Sequence, residues 1–349
     1  MDALKRAISM LMISILLISV INVVDTKELP SDRKGKPLIG IAMCSLLTER
    51  WYKDQEALTE ELGRLGADVI VQNANNQQEL QNQQIESLVE MGVDVLIVIP
   101  VSSSGCRRAV AKAKQAGVQV IAYERLVLQT DIDFYISFEN INLGRQMGQG
   151  LLNYMDEGSV LLINGDEEDQ NSMLYRTGYM EVLQPYIDAG RIHVAGEVWA
   201  ENWTKEVAYD TVDELLEKGE RIDGIIAEND SLAEMAIQPL SERDVIDQTI
   251  VVGQDGDLGA YQRIAFGVQA VTIHKAYTDL ARRAALAAYQ LAEGEHILSN
   301  GAVDNGYGEI PCYYLSTELI TKDNIQSAII DGGVYSEEEI YRNIGWLYE

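Results

Sequence analysis

The sequence predicts an α/β protein of two lobes, each built on a mostly parallel sheet with helices on both faces. Short apolar runs alternate with longer amphipathic runs from Leu38 onward, which is typical of strands and helices in a parallel sheet. The alternation occurs in two successive series, and the second begins at Ser159. Runs such as "VDVLIVIP" (Val93 to Pro100) are apolar almost throughout, as expected of strands buried on both faces.

The first series supplies five predicted strands. They are "LIGIAM" (38–43), "ADVIVQN" (67–73), "VDVLIVIP" (93–100), "VQVIAY" (118–123) and "DFYISF" (133–138). A helical pattern runs from about Trp51 to Leu65, after the first strand. A second helix contains "QQIESLVEMG", in which Ile85, Leu88 and Val89 share one face, and a third leads to the fourth strand. These elements form the first predicted lobe.

The second series has the same construction. Its predicted strands are "SVLLING" (159–165), "RIHVAGEVW" (191–199), "IDGIIAEND" (222–230), "TIVVGQD" (249–255) and "VQAVTIH" (268–274). A helical pattern separates each strand from the next. This series predicts a second α/β lobe.

Composition excludes several classes of function. The 349 residues are 47% hydrophobic and carry a formal net charge of −28, so the surface repels phosphate backbones and nucleic-acid binding is not predicted. A neutral ligand meets no such repulsion. The three cysteines, Cys44, Cys106 and Cys312, are odd in number and form no CxxC, and no HExxH occurs. We therefore predict no disulfide framework, no metal site and no cofactor.

The N-terminal residues predict export. Lys5 and Arg6 precede an uncharged run of 18 residues, Ala7 to Val24, close to the ~20 that span a bilayer. A cleaved signal peptide has the same basic start and apolar run. No small-x-small cleavage site and no cysteine for lipidation follow, so an uncleaved signal anchor is favoured. Residues 1–34 are then an anchor and a polar tether, and the rest lies outside the cytoplasm.

Polar side chains follow the strands of both series, where ligands collect in open α/β sheets. Singly, each has an ordinary explanation, since Asn229 or Asp230 could cap the next helix and a lone basic residue is usually solvated. The same residue types recur at equivalent strand ends in both lobes, which predicts a ligand site. The strand-end residues are Arg50, Trp51, Glu124, Arg125, Asn171, Trp199, Trp203, Asn229, Asp230, Gln254, Asp255 and Lys275.

This set of side chains suits a monosaccharide. Asp and Asn form paired hydrogen bonds with vicinal hydroxyls, Arg donates in a fixed fork, and Trp covers the C–H face of a sugar ring. Catalysis is not predicted, because no pair of carboxylates can be assigned to flank a glycosidic bond and no GxSxG occurs. Neither GxGxxG nor GxxxxGK[ST] is present to hold a phosphate.

Longer motifs in the chain resemble the bacterial periplasmic sugar-binding proteins of the ribose/xylose type, and among them the D-xylose-binding proteins of ABC transporters. The resemblance covers roughly Pro37 to Tyr341. It is carried by "IGIAM…LLTERWYKD", "VQNANNQQELQNQQIESLVEMGVDVLIVIP", "IAYERL", "DIDFYISFENINLG", "GDEEDQNSMLYR", "IIAENDSLA", "GQDGDL", "TIHKAYT" and "NGYGEIPCYYLSTELITKDNI".

The resemblance implies a periplasmic-binding-protein type I fold, with two lobes joined by a hinge that the chain crosses three times. The first lobe is expected to contain residues 35–140 and 276–309, and the second residues 141–275 and 310–349. The lobes would close on one pentose, and the resemblance favours D-xylose. The contacts that the family's pattern implies are Arg50, Arg125, Asn171, Trp203, Asn229, Asp255 and Lys275. Trp51, beside Arg50, is expected to form a second aromatic wall.

Two partners stay open. The resemblance implies delivery of the sugar to an ABC permease. The predicted anchor favours a membrane-bound xylose sensor that signals to a two-component histidine kinase. The sugar-sensing half of a repressor would need an N-terminal DNA-binding helix-turn-helix and a cytoplasmic location, and the apolar N-terminal run argues against both. An enzyme is the most distant alternative.

Overall fold

Two main sheets, one of seven strands and one of four, and a two-stranded antiparallel pair organise residues 35–342, which are those that the computed structural model describes. The strands are β1 (Leu38–Met43), β2 (Asp68–Asn73), β3 (Val95–Val98), β4 (Gln119–Tyr123), β5 (Phe134–Phe138), β6 (Gly158–Asn164), β7 (Ile192–Trp199), β8 (Gly224–Ala227), β9 (Ile250–Val252), β10 (Thr272–Lys275), β11 (Gly301–Asp304), β12 (Glu309–Leu315) and β13 (Thr317–Ile320). The α-helices are α1 (Glu49–Leu65), α2 (Gln78–Glu90), α3 (Arg107–Gln115), α4 (Asn140–Leu152), α5 (Gln170–Asp188), α6 (Glu206–Glu217), α7 (Asp230–Glu242), α8 (Leu258–Phe266), α9 (Tyr277–Ala292) and α10 (Glu337–Ile340).

The larger sheet has the order β11-β12-β5-β4-β3-β1-β2, and every pairing except that of β11 with β12 is parallel. All six residues of β1 are buried, because helices cover the sheet on both faces. Leu58 of α1 and Ala284 of α9 belong to the apolar cluster on one face. Leu88 of α2 and Val110 of α3 belong to the cluster on the other.

The smaller sheet has the order β7-β6-β8-β9 and is parallel throughout. Helices α6 and α7 cover one face, and α4 and α5 cover the other. Glycines allow α4 and α5 to touch: a Cβ at Gly144 would lie 2.1 Å from the carbonyl O of Tyr175, and one at Gly178 would lie 2.0 Å from that of Ile141. This close contact fixes α5, which carries two residues of the site described below.

The chain passes between the two sheets three times: after Phe138 into α4, after Lys275 into α9, and after Leu315 into β13. The third passage differs from the sequence prediction, which assigned residues 310–349 to the second lobe. That limit falls inside β12, whose backbone pairs with β5 as far as Leu315. The strand therefore continues the larger sheet beyond the predicted limit.

The predicted anchor, Ala7 to Val24, lies outside the described residues. Within residues 35–342, no helix has both the length and the apolar character needed to cross a bilayer. Cys44, Cys106 and Cys312 are buried free thiols. Burial raises the pKa of Cys44 to about 11, so this thiol stays protonated.

Candidate functional site

A cleft of about 530 Å³ lies at the carboxyl ends of the strands, between the two sheets. Its wall contains all eight residues that the sequence predicted as contacts: Arg50, Trp51, Arg125, Asn171, Trp203, Asn229, Asp255 and Lys275. Parallel strands bring these residues together, because each follows or ends a strand and the carboxyl ends of a parallel sheet share one edge.

Glu124, directly after β4, is the centre of the polar network. Its Oε1 lies 2.9 Å from Nζ of Lys275 and 3.2 Å from Nη1 of Arg50, and its Oε2 accepts a hydrogen bond from Nδ2 of Asn171 at 3.1 Å. Burial alone would raise the pKa of Glu124, but Lys275, Arg50 and Arg125 outweigh that effect and lower it to about 2. The carboxylate is therefore ionised and joins residues from both lobes.

Asp255, just after β9, is a second carboxylate that faces both Arg50 and Lys275. Its Oδ1 lies 3.2 Å from Nη1 of Arg50 and 3.3 Å from Nζ of Lys275. Asp255 has a φ of 108° and Glu124 a φ of 62°, in the left-handed region that side chains other than glycine rarely adopt. Such conformations cost roughly 1–3 kcal/mol and are typical of functional sites. Here they direct two carboxylates at the same two cations.

Arg50 lies in the first turn of α1 and forms an ion pair with Asp54, one helical turn further along the same helix. Its Nε lies 3.3 Å from Oδ2 of Asp54, and the Tyr123 hydroxyl donates to the other carboxylate oxygen. Burial raises the pKa of Asp54 to about 6, although Arg50 acts in the opposite direction. The guanidinium carbons of Arg50 and Arg125 lie 4.6 and 5.5 Å from the ring centroid of Trp51. Trp51 thus supports both guanidinium groups through cation–π contact.

Arg125 connects the first lobe to the start of α5. Its Nε forms an ion pair with Oδ2 of Asp169 at 2.7 Å, and Nε1 of Trp203 donates to the same oxygen at 3.2 Å. Asp169 also caps α5, because its Oδ1 accepts from the backbone N–H of Asn171. The indole of Trp203 rests on Gly165, where a Cβ would lie 2.2 Å from Cη2 of the ring. Glycine at that position makes room for the aromatic wall.

Asn229 caps α7, because its Oδ1 accepts from the backbone N–H of Leu232 at 2.7 Å. The capping role considered from the sequence therefore applies to this residue, which also lines the cleft. Its neighbour Asp230 is buried and accepts from the backbone N–H groups of Gly256 and Asp257. Asp230 thus holds the loop that carries Asp255.

Comparison with known proteins identifies the family. A family model described as periplasmic binding protein domain matches residues 39–296. The chain belongs to this family of periplasmic binding proteins. It is 38% identical over 303 residues to the D-xylose-binding periplasmic protein of Escherichia coli (strain K12), covering 86% of this chain and 92% of that protein. It is 36% identical over 304 residues to the protein of the same description from Haemophilus influenzae, covering 87% and 92%.

Solved structures of periplasmic binding proteins share the fold. An ABC transporter solute binding protein from Clostridium phytofermentans, with bound β-D-glucose, superposes with a TM-score of 0.80 at 27% identity and covers 87% of this chain and 99% of its own. The predicted family resemblance and the predicted fold class are confirmed. The prediction of a binding protein rather than an enzyme is also confirmed, since the family is one of binding proteins.

Sequence reasoning missed several residues that line this periplasmic binding protein's cleft or support it from behind. Tyr175 accepts from Nζ of Lys275 at 3.2 Å and follows Asn171 by four residues on α5. Asp54 follows Arg50 by the same interval on α1. Because side chains four residues apart meet on one face of a helix, this spacing could have indicated both. Glu124 was recognised as a strand-end residue but was not included in the contact set.

The arrangement is suited to hydrogen bonding with an uncharged ligand. Arg50, Arg125 and Lys275 each already face a carboxylate of the protein, which leaves little excess positive charge at these three side chains for an anionic ligand. Among residues 35–342, no group of histidines, cysteines and acids is arranged to hold a metal ion.

Proposed function

We propose that this periplasmic binding protein binds a monosaccharide outside the cytoplasm, with D-xylose as the preferred ligand, and delivers it to an ABC transporter. The single observation that carries the proposal is the cleft, in which five basic side chains, several amides and carboxylates and two indoles converge from both lobes. The two curated relatives described as D-xylose-binding support the choice of sugar. The bound β-D-glucose of the Clostridium phytofermentans protein supports the broader class of ligand.

Binding would proceed by closure of the lobes. Arg50, Glu124 and Arg125 come from the first lobe, and Asn171 and Lys275 from the second. A sugar between them gains both sets of hydrogen bonds only when the lobes meet, so it favours the closed state. In such a site, hydrogen bonds between a charged side chain and a sugar hydroxyl are stronger than those between two neutral groups.

The indoles would provide the apolar part of the contact. Trp203 and Trp51 both line the cleft, and a flat aromatic face matches the C–H face of a pyranose ring. A dissociation constant near micromolar corresponds to about −8 kcal/mol. Two or three well-made charged hydrogen bonds, at roughly 1.5–3 kcal/mol each, supply much of that free energy.

Titration calorimetry of the full-length chain, purified in mild detergent, tests the ligand. The panel contains D-xylose, other pentoses, hexoses and a sugar phosphate. Saturable heat with D-xylose and none with the sugar phosphate is the expected result. Clear binding of another sugar with no heat from D-xylose would refute the choice of ligand but not the class.

The sensor alternative depends on the predicted anchor, whose residues lie outside those described. N-terminal sequencing of the native protein tests the anchor, since a mature start near Lys27 would show cleavage. Purification in detergent, with and without D-xylose, then tests the partner. Recovery of permease components supports the proposed delivery role, and recovery of a histidine kinase instead would replace it with the sensor.

A further inference from the structure

Two hydrogen-bonding atoms on residues that line the cleft have neither a hydrogen-bond partner nor an ion-pair partner within residues 35–342. They are Nη2 of Arg50, a donor from the first lobe, and Oε1 of Gln254, an acceptor from the second. Arg50 is 8% exposed and Gln254 only 2% exposed. Buried polar atoms in folded proteins are nearly always hydrogen-bonded, so an unpartnered atom on a residue that lines the cleft is a candidate for a hydrogen bond to a ligand.

The orientation of the Gln254 amide is set by its other end. Its Nε2 donates to the backbone carbonyl O of Glu228 at 2.6 Å. Turning the amide over would bring two acceptor oxygens together, so the free atom is the oxygen and it can only accept. The backbone is also fixed, because the carbonyl O of Gln254 accepts from the N–H of Asp230 at 2.8 Å. The acceptor is therefore preorganised.

Gln254 differs from the charged acceptors around it. The carboxylates of Glu124, Asp169 and Asp255 each lie against an arginine or a lysine. The amide oxygen of Gln254 carries no charge and accepts no hydrogen bond from the described residues. It suits an uncharged O–H donor, which is what a sugar presents.

We propose that Gln254 is a ligand-contacting residue whose Oε1 accepts a hydrogen bond from one hydroxyl group of the bound sugar and so selects for that hydroxyl. The inference rests on the proposed function, because it takes the ligand to be a polyhydroxylated neutral molecule. It adds a neutral acceptor to the predicted contacts, directly beside Asp255.

The test compares the wild-type chain with Gln254→Met, which has a similar length and no hydrogen-bonding group. Both are titrated with the preferred sugar and with its complete set of monodeoxy analogues. Loss of the contacted hydroxyl should weaken binding to the wild type about tenfold. In Gln254→Met that one difference should disappear, while the differences for the other positions remain.

A matched control is Gln269→Met. Gln269 is a buried glutamine of the same lobe whose amide bonds to Arg263 and Asp230, and it does not line the cleft. Its substitution should lower the melting temperature but keep every ratio between sugar and analogue. If Gln254→Met has no cooperative unfolding transition, Gln254→Asn replaces it, because it withdraws the amide by one methylene and should abolish the same ratio.

If Gln254→Met binds the sugar and all its analogues with unchanged ratios of affinity, even where every affinity is lower, the inference is overturned and Gln254 has a structural role. A wild-type chain that prefers a sugar other than D-xylose would overturn the choice of ligand above, and that sugar's own analogues would then test Gln254. A wild-type chain that binds no sugar would overturn both.

Discussion

Glu124→Gln is the substitution that tests the polar network most directly. The side chain keeps its shape but loses the charge that faces Arg50 at 3.2 Å and Lys275 at 2.9 Å. The amide can still accept from one of these cations. It cannot also satisfy Asn171, which donates to the second carboxylate oxygen at 3.1 Å. At least one buried donor is therefore left without an acceptor.

The magnitude follows from which contacts join the lobes. Lys275 and Asn171 reach Glu124 from the second lobe, so their hydrogen bonds exist only when the lobes meet, whereas Arg50 belongs to the first lobe. Weakening these contacts by the equivalent of one charged hydrogen bond, roughly 1.5–3 kcal/mol, should raise the dissociation constant about 10–150-fold. Loss of the contact with Arg50 should lower the free energy of unfolding even without ligand.

Calorimetry with the preferred sugar and thermal unfolding without it measure these two effects separately. Glu234→Gln is the matched control, because Glu234 also lines the cleft but forms no ion pair within residues 35–342. It should bind within about threefold of the wild type, since a half-buried acid without an ion pair contributes little. A Glu124→Gln chain with wild-type affinity and an unchanged melting temperature would refute the assignment of Glu124 as the bridge between lobes.

Three further predictions concern individual residues of the cleft. Asp255→Ala and Asn171→Ala should each weaken sugar binding tenfold or more, about 1.4 kcal/mol per decade, in calorimetry; normal binding at unchanged stability would remove that residue from the contact set. Trp203→Ala should reduce both affinity and the change in tryptophan fluorescence on adding sugar, and an undiminished fluorescence change would assign the signal to another indole. Burial raises the pKa of Asp54 from 3.8 to about 6, so the folded state binds a proton more tightly than the unfolded state and stability falls as pH rises through this window. The unfolding free energy of wild type relative to Asp54→Asn should therefore drop by about 3 kcal/mol between roughly pH 4 and pH 7 in denaturant titrations, and a constant difference would contradict the shift.

Acid should also act through Glu124, in a lower range of pH that only partly overlaps that of Asp54. Its pKa is lowered from 4.5 to about 2 in the folded state, so its contribution to stability is complete above roughly pH 5 and is lost as the pH falls towards 2. Glu124→Gln should remove that part of the acid sensitivity.

Much of the fold follows from local pattern alone. The run "LIGIAM" coincides with β1 because a strand buried on both faces must be apolar at every position. The helix predicted from Trp51 ends at Leu65 as observed, where Gly66 adopts φ 91° and terminates it. The third passage between lobes was misplaced because the partner of β12 is β5, far away in sequence, and no local pattern contains that pairing.

The cleft was predictable to the extent that it follows the sheet. Strand ends share one edge, so Arg50, Asn171 and Asp255 could be grouped without knowing any distance. No sequence pattern indicates that Glu124 contacts cations from both lobes, because those contacts depend on how the lobes approach one another. The unpartnered Oε1 of Gln254 could not be predicted from the sequence either, because it is recognised only after every hydrogen bond around it is known.

The pairing of Arg50, Arg125 and Lys275 with carboxylates determines how sugar binding responds to the salt concentration around the protein. A site that captures an anion with free cations loses affinity as salinity rises, because dissolved ions compete and screen. Here an uncharged sugar would replace no counter-ion, and the net charge of −28 neither attracts nor repels it. We expect the protein to collect sugar equally well from fresh water and from brine.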